Sequence, residues 1–220
     1  MPNKIQKRDS QASRKRLINA AIKIFSHHGP EAATIDDICG KAGLNKRLAY
    51  HYFGSKEGIY KEALRVVYEQ FFNLEIELGS MLLPAEELLE VLVRRYYKFL
   101  EAHTDFVKMI CYENLNEGRM AKQLNLTGQK VPVIIALQLA LQKGQADKRF
   151  REGIDVTELL VSIFALCFFY FSNQYTMSQF LGKKTVAKSN IDARIRHVVE
   201  LLLHGIAHDD ARNQMATLLK

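Results

Sequence analysis

Apolar residues recur at intervals of three and four positions along most of the chain, and this spacing predicts α-helices. In the first helix, Leu17, Ala21 and Phe25 form such a stripe, and the Gly-Pro pair at Gly29 should end it. We expect this helix over residues 11–28, after a short mobile arm at the N-terminus. No alternation of apolar and polar residues is long enough to predict a β-strand.

Two short helices follow, and each is preceded by a residue that suits the start of a helix. Thr34 and Asn45 can accept a hydrogen bond from the free backbone N–H groups of the turn that follows them. Gly43 lies between the two segments and should end the first of them. We therefore predict helices over residues 35–42 and 46–53, joined by a tight turn that contains glycine.

The rest of the chain predicts longer helices that are separated by short breaks. Ser55 should begin the first of them, and residues 183–189 form a basic linker before the last. The longest apolar stretch, Leu159 to Phe171, is interrupted by Ser162 and spans 13 residues. This is fewer than the roughly 18 needed to cross a bilayer, so it predicts a buried helix. The predicted helices cover residues 56–78, 84–102, 105–116, 132–143, 156–181 and 191–208.

Composition places this pattern in a globular protein. The 220 residues are 48% hydrophobic and 25% charged, which excludes a wholly disordered chain. Three cysteines are too few for a disulfide-stapled secreted fold. The N-terminus is charged and lacks the apolar stretch of an export signal. We therefore expect an all-α protein that works in the cytoplasm.

The excess positive charge is concentrated at one end of the chain. Residues 1–60 carry 11 basic and 5 acidic side chains, whereas residues 61–220 carry 20 and 19. A basic segment on a nearly neutral body predicts contact with a polyanion, with nucleic acid first and an acidic membrane surface second. The basic residues between Lys4 and Arg16 are candidates for phosphate or minor-groove contacts, or for a simple solvated surface.

The two short helices fit a helix-turn-helix, a motif in which two helices pack closely across a turn with glycine. Cys39 is small where the two helices should approach each other, and Ala49 should face back toward the first helix. The polar residues of the second helix are then left to point outward. In a basic segment, this arrangement predicts DNA binding through the second helix.

One region carries a dense signature, which reads Thr34-Ile-Asp-Asp-Ile-Cys-Gly-Lys-Ala-Gly-Leu-Asn and then Leu48-Ala-Tyr-His-Tyr-Phe-Gly-Ser-Lys-Glu-Gly-Ile-Tyr. It resembles the N-terminal signature of the TetR family of bacterial transcriptional regulators, over about residues 11–62. The rest of the chain is similar to that family only in length, helicity and order of helices. Arg47 and Ala49 depart from the common pattern, so no operator sequence can be copied from a relative.

We expect a three-helix helix-turn-helix DNA-binding domain over residues 1–55 and a larger helical effector-binding and dimerisation domain over residues 56–220. The third helix is the candidate recognition helix, with its N-terminal end in the major groove. Arg47 suits bidentate recognition of guanine, whereas Thr34 and Lys56, at helix N-termini, suit phosphate. The predicted DNA-binding residues are Thr34, Asn45, Lys46, Arg47, Tyr50, His51, Tyr52 and Lys56.

A single recognition helix reads few base pairs, so we expect a homodimer on a near-palindromic operator. The resemblance implies that the helices over 156–181 and 191–208 form a four-helix bundle with a second copy; a fully intramolecular core is the alternative. It also implies an effector pocket, which would suit a hydrophobic or aromatic small molecule. Glu113, Asn114 and Arg119 are candidate polar anchors, with plain surface positions as the alternative. An aromatic stripe is more often plain core. The candidate lining residues are Phe71, Phe99, Phe106, Met109, Tyr112, Phe164, Phe168 and Phe171.

These observations predict a sequence-specific DNA-binding repressor, located on the nucleoid when bound, that a small-molecule effector releases from its operator. Regulation in the opposite direction, by a co-repressor or as an activator, is the alternative. The alternatives are an all-α carrier of a small molecule such as an acyl-CoA, and an adaptor without specific DNA readout. We expect no cofactor, no metal site, no membrane partner and no enzymatic activity. His204 and His208 lie one helical turn apart but suit a solvated helix end.

Overall fold

The computed structural model describes residues 4–124, 126 and 132–208, and of residues 4–9 it describes the backbone only. These residues form ten α-helices and a 3-10 helix, with no β-strand among them, so the all-α prediction is confirmed. The helices are α1 (Lys4–Ala32), α2 (Ile35–Ala42), α3 (Lys46–Phe53), α4 (Lys56–Gly79), α5 (Ala85–Ala102), α6 (Thr104–Leu115), the 3-10 helix (Ala121–Leu124), α7 (Pro132–Ala146), α8 (Val156–Ser172), α9 (Gln174–Leu181) and α10 (Lys188–Ile206).

The first helix is longer than the sequence indicated. α1 begins at Lys4, so the segment that we expected to be a mobile arm is helical. Its regular part ends at Gly29 as predicted, because Gly29 has φ 76° and ψ 164°, outside the helical region. The last helix also starts earlier than expected, at Lys188 rather than Ile191.

The helix predicted over residues 156–181 is in fact two helices. α8 ends at Ser172, and α9 starts at Gln174 with its axis bent by 75° from that of α8. The polar side chains at the junction explain the break, since Asn173 donates to the Ser172 hydroxyl at 2.8 Å and Gln174 donates to the Phe171 carbonyl at 3.0 Å. No single helix within the described ranges is long and apolar enough to span a membrane; α8 and α9 meet that criterion only as a bent pair.

The chain divides into two compact units, and the first contains Met1–Phe71 and Thr104–Gln129. In this unit α1 packs against α2, α3 and α6. Leu17, Ile38 and Ile59 are fully buried there, and each such side chain contributes about 1.5–3 kcal/mol relative to exposure. This unit extends beyond residue 55. The boundary between functional domains at residue 55 stays a prediction.

The second unit contains Phe72–His103 and Lys130–Lys220. Its central helix is α5, which packs against α7, α8 and α10. Close packing continues next to α7, where a β-carbon at Gly144 would collide with the ring of Phe150. The largest fully buried side chains of α5 are Leu88, Leu89, Leu92, Tyr96, Tyr97 and Leu100.

Candidate nucleic-acid interface

Local hydrogen bonds fix the start of α2. The Thr34 hydroxyl accepts from the backbone N–H of Asp37 at 3.1 Å. In return the Asp37 carboxylate accepts from the Thr34 N–H at 3.1 Å and from its hydroxyl at 2.6 Å. These bonds form a capping box, and the bonds from Thr34 hold the pKa of Asp37 below its usual range. Thr34 is therefore the N-cap that the sequence predicted.

A left-handed glycine turns the chain between α2 and α3. Gly43 has φ 60° and ψ 41°, a conformation that side chains with a β-carbon adopt only at a cost. Arg16 donates to the carbonyl of Ala42 at 2.6 Å and so satisfies an acceptor at the end of α2. Cys39 and Ala49 are buried as predicted, which lets the two helices pack closely.

The candidate recognition helix α3 presents the predicted base-reading side chains to solvent. Asn45 caps it by accepting a hydrogen bond from the N–H of Leu48 at 3.0 Å. Arg47, Tyr50 and His51 are exposed. Arg47 has no hydrogen bond or ion pair with any residue that the structure describes. Its guanidinium is thus available for two parallel hydrogen bonds to O6 and N7 of a guanine.

Lys46, at the first position of α3, is paired with an acid on α2. Its Nζ lies 2.7 Å from Oδ1 of Asp36, and both side chains are more than half exposed. The hydrogen bond and the charge of Asp36 raise the pKa of Lys46. Exposed pairs of this kind add little stability. Lys46 must therefore exchange Asp36 for a phosphate or a base in order to contact DNA.

Tyr52 and Lys56 are held by other parts of the first unit. Tyr52 is half-buried, and its hydroxyl donates to Ser10 at 3.2 Å. The Lys56 ammonium donates to the carbonyls of Glu31 at 3.0 Å and Ala33 at 3.2 Å, at the end of α1. Lys56 thus has a structural role that the sequence did not reveal. An ammonium has three donors, so one N–H remains for another acceptor.

The basic residues of the predicted arm divide into two groups. Arg14 forms an ion pair with Glu62 of α4, and its guanidinium lies 5.5 Å from the centre of the Phe53 ring. Arg14 therefore helps to hold α1 on α3 and α4, whereas Lys15 is exposed. Arg16 donates to Ala42, as described above. The side chains of Lys4, Lys7 and Arg8 lie outside the described residues.

Comparison with known proteins agrees with this geometry. Residues 17–63 match the family model described as bacterial regulatory proteins, tetR family, and residues 84–202 match the tetracyclin repressor-like C-terminal domain. The HTH-type transcriptional repressor NicS of Pseudomonas putida is 33% identical over 202 residues, which cover 90% of this chain and 95% of NicS. The chain belongs to the TetR family. This TetR-family protein is therefore a DNA-binding transcriptional regulator, and its relatives are regulators rather than enzymes.

Solved structures show the same fold over nearly the whole chain. A transcriptional regulator of Streptomyces coelicolor, SCO4942, superposes with a TM-score of 0.64 at 22% identity, covering 88% of this chain and 98% of that one. FadR of Bacillus subtilis, solved in complex with stearoyl-CoA, gives a TM-score of 0.59 at 20% identity, covering 87% and 98%. At these identities the likeness concerns the fold of this TetR-family chain, not its ligand.

The eight predicted pocket residues are shared between the two units. In the first unit, Phe71 and Phe106 stack with ring centres 5.3 Å apart. Tyr112 lies against Gly29, where a β-carbon would stand 3.0 Å from its ring. Met109 is fully buried. Phe71, Phe106 and Tyr112 thus contact residues of their own unit.

The other four pocket candidates belong to the second unit. Phe99 stacks on His103 with ring centres 4.4 Å apart, and Phe171 packs edge-on against Tyr97. Phe164 meets the ring of Tyr96 edge-to-face at 5.9 Å and stacks on the ring of Phe168 at 5.4 Å. This last group contains two half-buried rings, those of Phe164 and Phe168.

Three cavities lie within single units. The first unit has one of about 360 Å³ between α1, α4 and the end of α6. The second has a groove of about 480 Å³ along α5 and α10 and another of about 390 Å³ beside α9. None of the eight aromatic or sulfur-containing candidates lines any of these three cavities, so their part in ligand binding stays a prediction.

The predicted polar anchor Glu113 is used by its own chain. It is 3% exposed, and its Oε1 accepts from the Tyr60 hydroxyl at 2.8 Å. Its Oε2 accepts from the backbone N–H groups of Met120 at 3.1 Å and Ala121 at 2.9 Å. Burial and then the bond to Glu113 raise the pKa of Tyr60. Glu113 thus joins α4, α6 and the segment after α6.

The two other predicted anchors are exposed. Asn114 donates to the carbonyl of Ile110 in its own helix at 2.9 Å. Arg119 forms an ion pair with Glu57 and lines the cavity of the first unit. Neither side chain points to a particular ligand.

One buried polar contact of the second unit was not predicted. The hydroxyl of Tyr96 donates to Oε1 of Glu75, which is 3% exposed. Burial raises the pKa of the Glu75 carboxyl. A signal was present in the sequence, because Glu75 stands at helical spacing from Phe71 and Leu78 on the apolar stripe of α4. A charged residue on such a stripe marks a buried acid.

Proposed function

We propose that the protein is a homodimeric repressor that binds a near-palindromic operator and leaves it when a small-molecule effector binds. The observation that carries the proposal is the α2–α3 pair, in which caps and turn are complete and Arg47 faces solvent without a partner. Similarity to the repressor NicS supports the sign of regulation. The protein would act on the nucleoid of a bacterial cytoplasm.

In this proposal α3 lies in the major groove, and its contacts divide into two kinds. Arg47 reads a guanine, and Lys46, Tyr50 and His51 contact base edges or phosphates. Tyr52 and Asn45 contact the backbone. Phosphates also lie at the N-termini of α2 and α4, where free N–H groups attract anions next to Thr34 and Lys56.

The exposed faces of α8 and α10 support dimerisation. Val161 and Phe169 on α8 and Leu201 on α10 are each about half exposed. Ile195 and Val198 of α10 are instead buried inside the second unit. Exposed large apolar side chains on two helices suit a partner surface. We therefore assign the dimer interface to the outward faces of α8 and α10. In this assignment α9 is not part of the four-helix bundle that the two copies form.

Release follows if the effector binds better to a conformer whose recognition helices are wrongly spaced for the operator. α4 runs from Lys56 to Gly79 and has residues in both compact units. We propose that this helix transmits the change from the effector site to α3.

The test is selection of preferred duplexes from a random DNA pool, followed by affinity against salt for the winner and a scrambled control. The proposal predicts an enriched near-palindrome, bound about 1000-fold more tightly than the control. Sedimentation should find two chains per duplex. If no site is enriched and the affinities for all tested duplexes fall equally as salt rises, the binding is only non-specific charge attraction. The proposal is then wrong.

A further inference from the structure

Glu75 is a buried acid with half of its hydrogen-bonding capacity unused. It is 3% exposed, and the Tyr96 hydroxyl occupies Oε1. Oε2 is buried and has no hydrogen-bond partner within the described part of the chain, and Glu75 forms no ion pair there. A buried carboxyl oxygen without a donor costs stability. Glu75 therefore carries an oxygen that the residues described by the structure leave unsatisfied.

Aromatic rings adjoin the hydroxyl that holds Glu75. Tyr96 is 1% exposed, and the ring of Phe164 meets it edge-to-face at 5.9 Å. Phe168 stacks on Phe164 with ring centres 5.4 Å apart and planes 22° apart. Phe164 and Phe168 are half-buried, so this ring pair is partly open to solvent. The faces of aromatic rings attract cations, as a carboxylate does, and they also pack against apolar groups.

An arginine of the same unit does not balance the charge of Glu75. The Arg194 guanidinium lies 5.9 Å from the centre of the Tyr170 ring. Burial raises the pKa of Cys167 to about 12, and the charge of Arg194 only partly opposes this shift. Burial raises the pKa of the Glu75 carboxyl and the hydrogen bond from Tyr96 lowers it, and burial has the larger effect.

We propose that Glu75 anchors a cationic ligand, a protonated primary or secondary amine on an aromatic or similarly apolar body. An N–H of the amine would donate to Oε2 of Glu75, and the rings of Phe164 and Phe168 would contact its apolar part. The inference rests on the proposed function in that this ligand would be the effector. It narrows the effector from any apolar molecule to a cation, and it disfavours an anionic acyl-CoA, because a second negative charge beside Glu75 would be repelled.

A first experiment needs no ligand. Glu75→Gln keeps the acceptor for Tyr96 and removes the buried negative charge, so the variant should unfold at a higher urea concentration than the wild type. Glu77→Gln is the matched control, since Glu77 lies on the same helix, is about half exposed and pairs with Arg95 at the surface; its midpoint should not move. A lower midpoint for Glu75→Gln would show that the carboxylate stabilises the fold, and would overturn the inference.

The second experiment measures binding of phenethylamine and naphthylmethylamine by calorimetry, beside their neutral alcohol and carboxylate analogues. The wild type and Glu77→Gln should bind an amine and reject the matched carboxylate. Glu75→Gln should bind the amine at least about tenfold more weakly, as expected for a lost charged hydrogen bond. Equal amine affinity in the wild type and Glu75→Gln, a preference for the carboxylate, or no amine binding up to millimolar concentration would each overturn the inference.

Binding to the selected operator separates this inference from the proposed function. If the wild type recognises the operator but the amines neither bind nor release it, the regulator stands and the amine assignment fails. If amines bind through Glu75 but no operator is enriched, the ligand site stands and the regulator proposal fails. If both hold, an amine should release the wild type and Glu77→Gln from DNA, while Glu75→Gln stays bound at the same concentration.

Discussion

The recognition segment and the centre of the second unit satisfy their polar groups in different ways. In α2 and α3 each cap is made within three residues, by Thr34 with Asp37 and by Asn45 with Leu48. In the second unit, Tyr96 reaches Glu75 from 21 positions away, and one carboxyl oxygen has no partner among the described residues. Local caps give the predicted DNA-binding surface a fixed geometry. The buried acid instead has an unpaired acceptor oxygen, to which a bound ligand could donate a hydrogen bond.

Glu113→Ala tests this contrast with the largest expected effect. Glu113 forms a long-range hydrogen bond with Tyr60 inside the first unit. If local caps alone held that unit, the substitution would change little. We expect a loss of about 3 kcal/mol in the free energy of unfolding, since the Tyr60 hydroxyl and two backbone N–H groups lose their acceptor. Urea unfolding measures this. Asn114→Ala on the same helix, where the side chain is exposed, is the control and should change stability by less than about 0.5 kcal/mol.

Arg47→Ala tests whether the exposed side chains of α3 contribute to DNA binding without contributing to stability. Its side chain has no partner within the described residues, so thermal stability should stay the same. Affinity for the selected operator should fall by about 1–3 kcal/mol, with relaxed selection at one base pair. Fluorescence anisotropy on operator and scrambled duplexes measures both effects. Arg47→Lys should recover charge but not base selection. An equal loss on both DNAs would place Arg47 on a phosphate.

The buried acid should show itself in the pH dependence of stability. Burial raises the pKa of Glu75 in the folded chain, so the folded state holds the proton more tightly than the unfolded state does. The contribution of Glu75 to stability is then greatest below the unfolded value of about 4.3, and it is lost as pH rises through the raised pKa of the folded chain. Glu75→Gln removes this loss and should be more stable than the wild type by about 1–2 kcal/mol at neutral pH. Parallel pH profiles for the two proteins would contradict the expected shift.

Thr34→Ala tests the local side of the contrast and has the smallest expected effect. Loss of the N-cap should reduce the free energy of unfolding by about 1 kcal/mol. Operator binding should weaken as well, because α2 positions α3. Thr34→Ser keeps the hydroxyl and should restore both quantities, as measured by urea unfolding and anisotropy. If Thr34→Ala weakens DNA binding but leaves stability unchanged, its hydroxyl acts on DNA and not as a cap.

The parts of the fold that depend on neighbours in sequence were predictable. The limits of α2 and α3, the turn at Gly43 and the caps at Thr34 and Asn45 all follow from residue types within a few positions of one another. The break between α8 and α9 was missed, because an apolar pattern at helical spacing continues across the polar junction at Asn173. Periodicity alone does not show where side chains take over backbone hydrogen bonds.

By itself the sequence determined that the protein is helical, where its recognition segment lies and which family it resembles, because caps, glycine turns and periodicity are local. Only the tertiary structure decided which charged groups lie free and which are bound. It ties Lys56 to the end of α1, encloses Glu113 in three hydrogen bonds and buries Glu75 beside Tyr96. The bonds from Lys56 to Glu31, from Tyr60 to Glu113 and from Tyr96 to Glu75 join residues 25, 53 and 21 positions apart. Their pairing depends on how the helices pack.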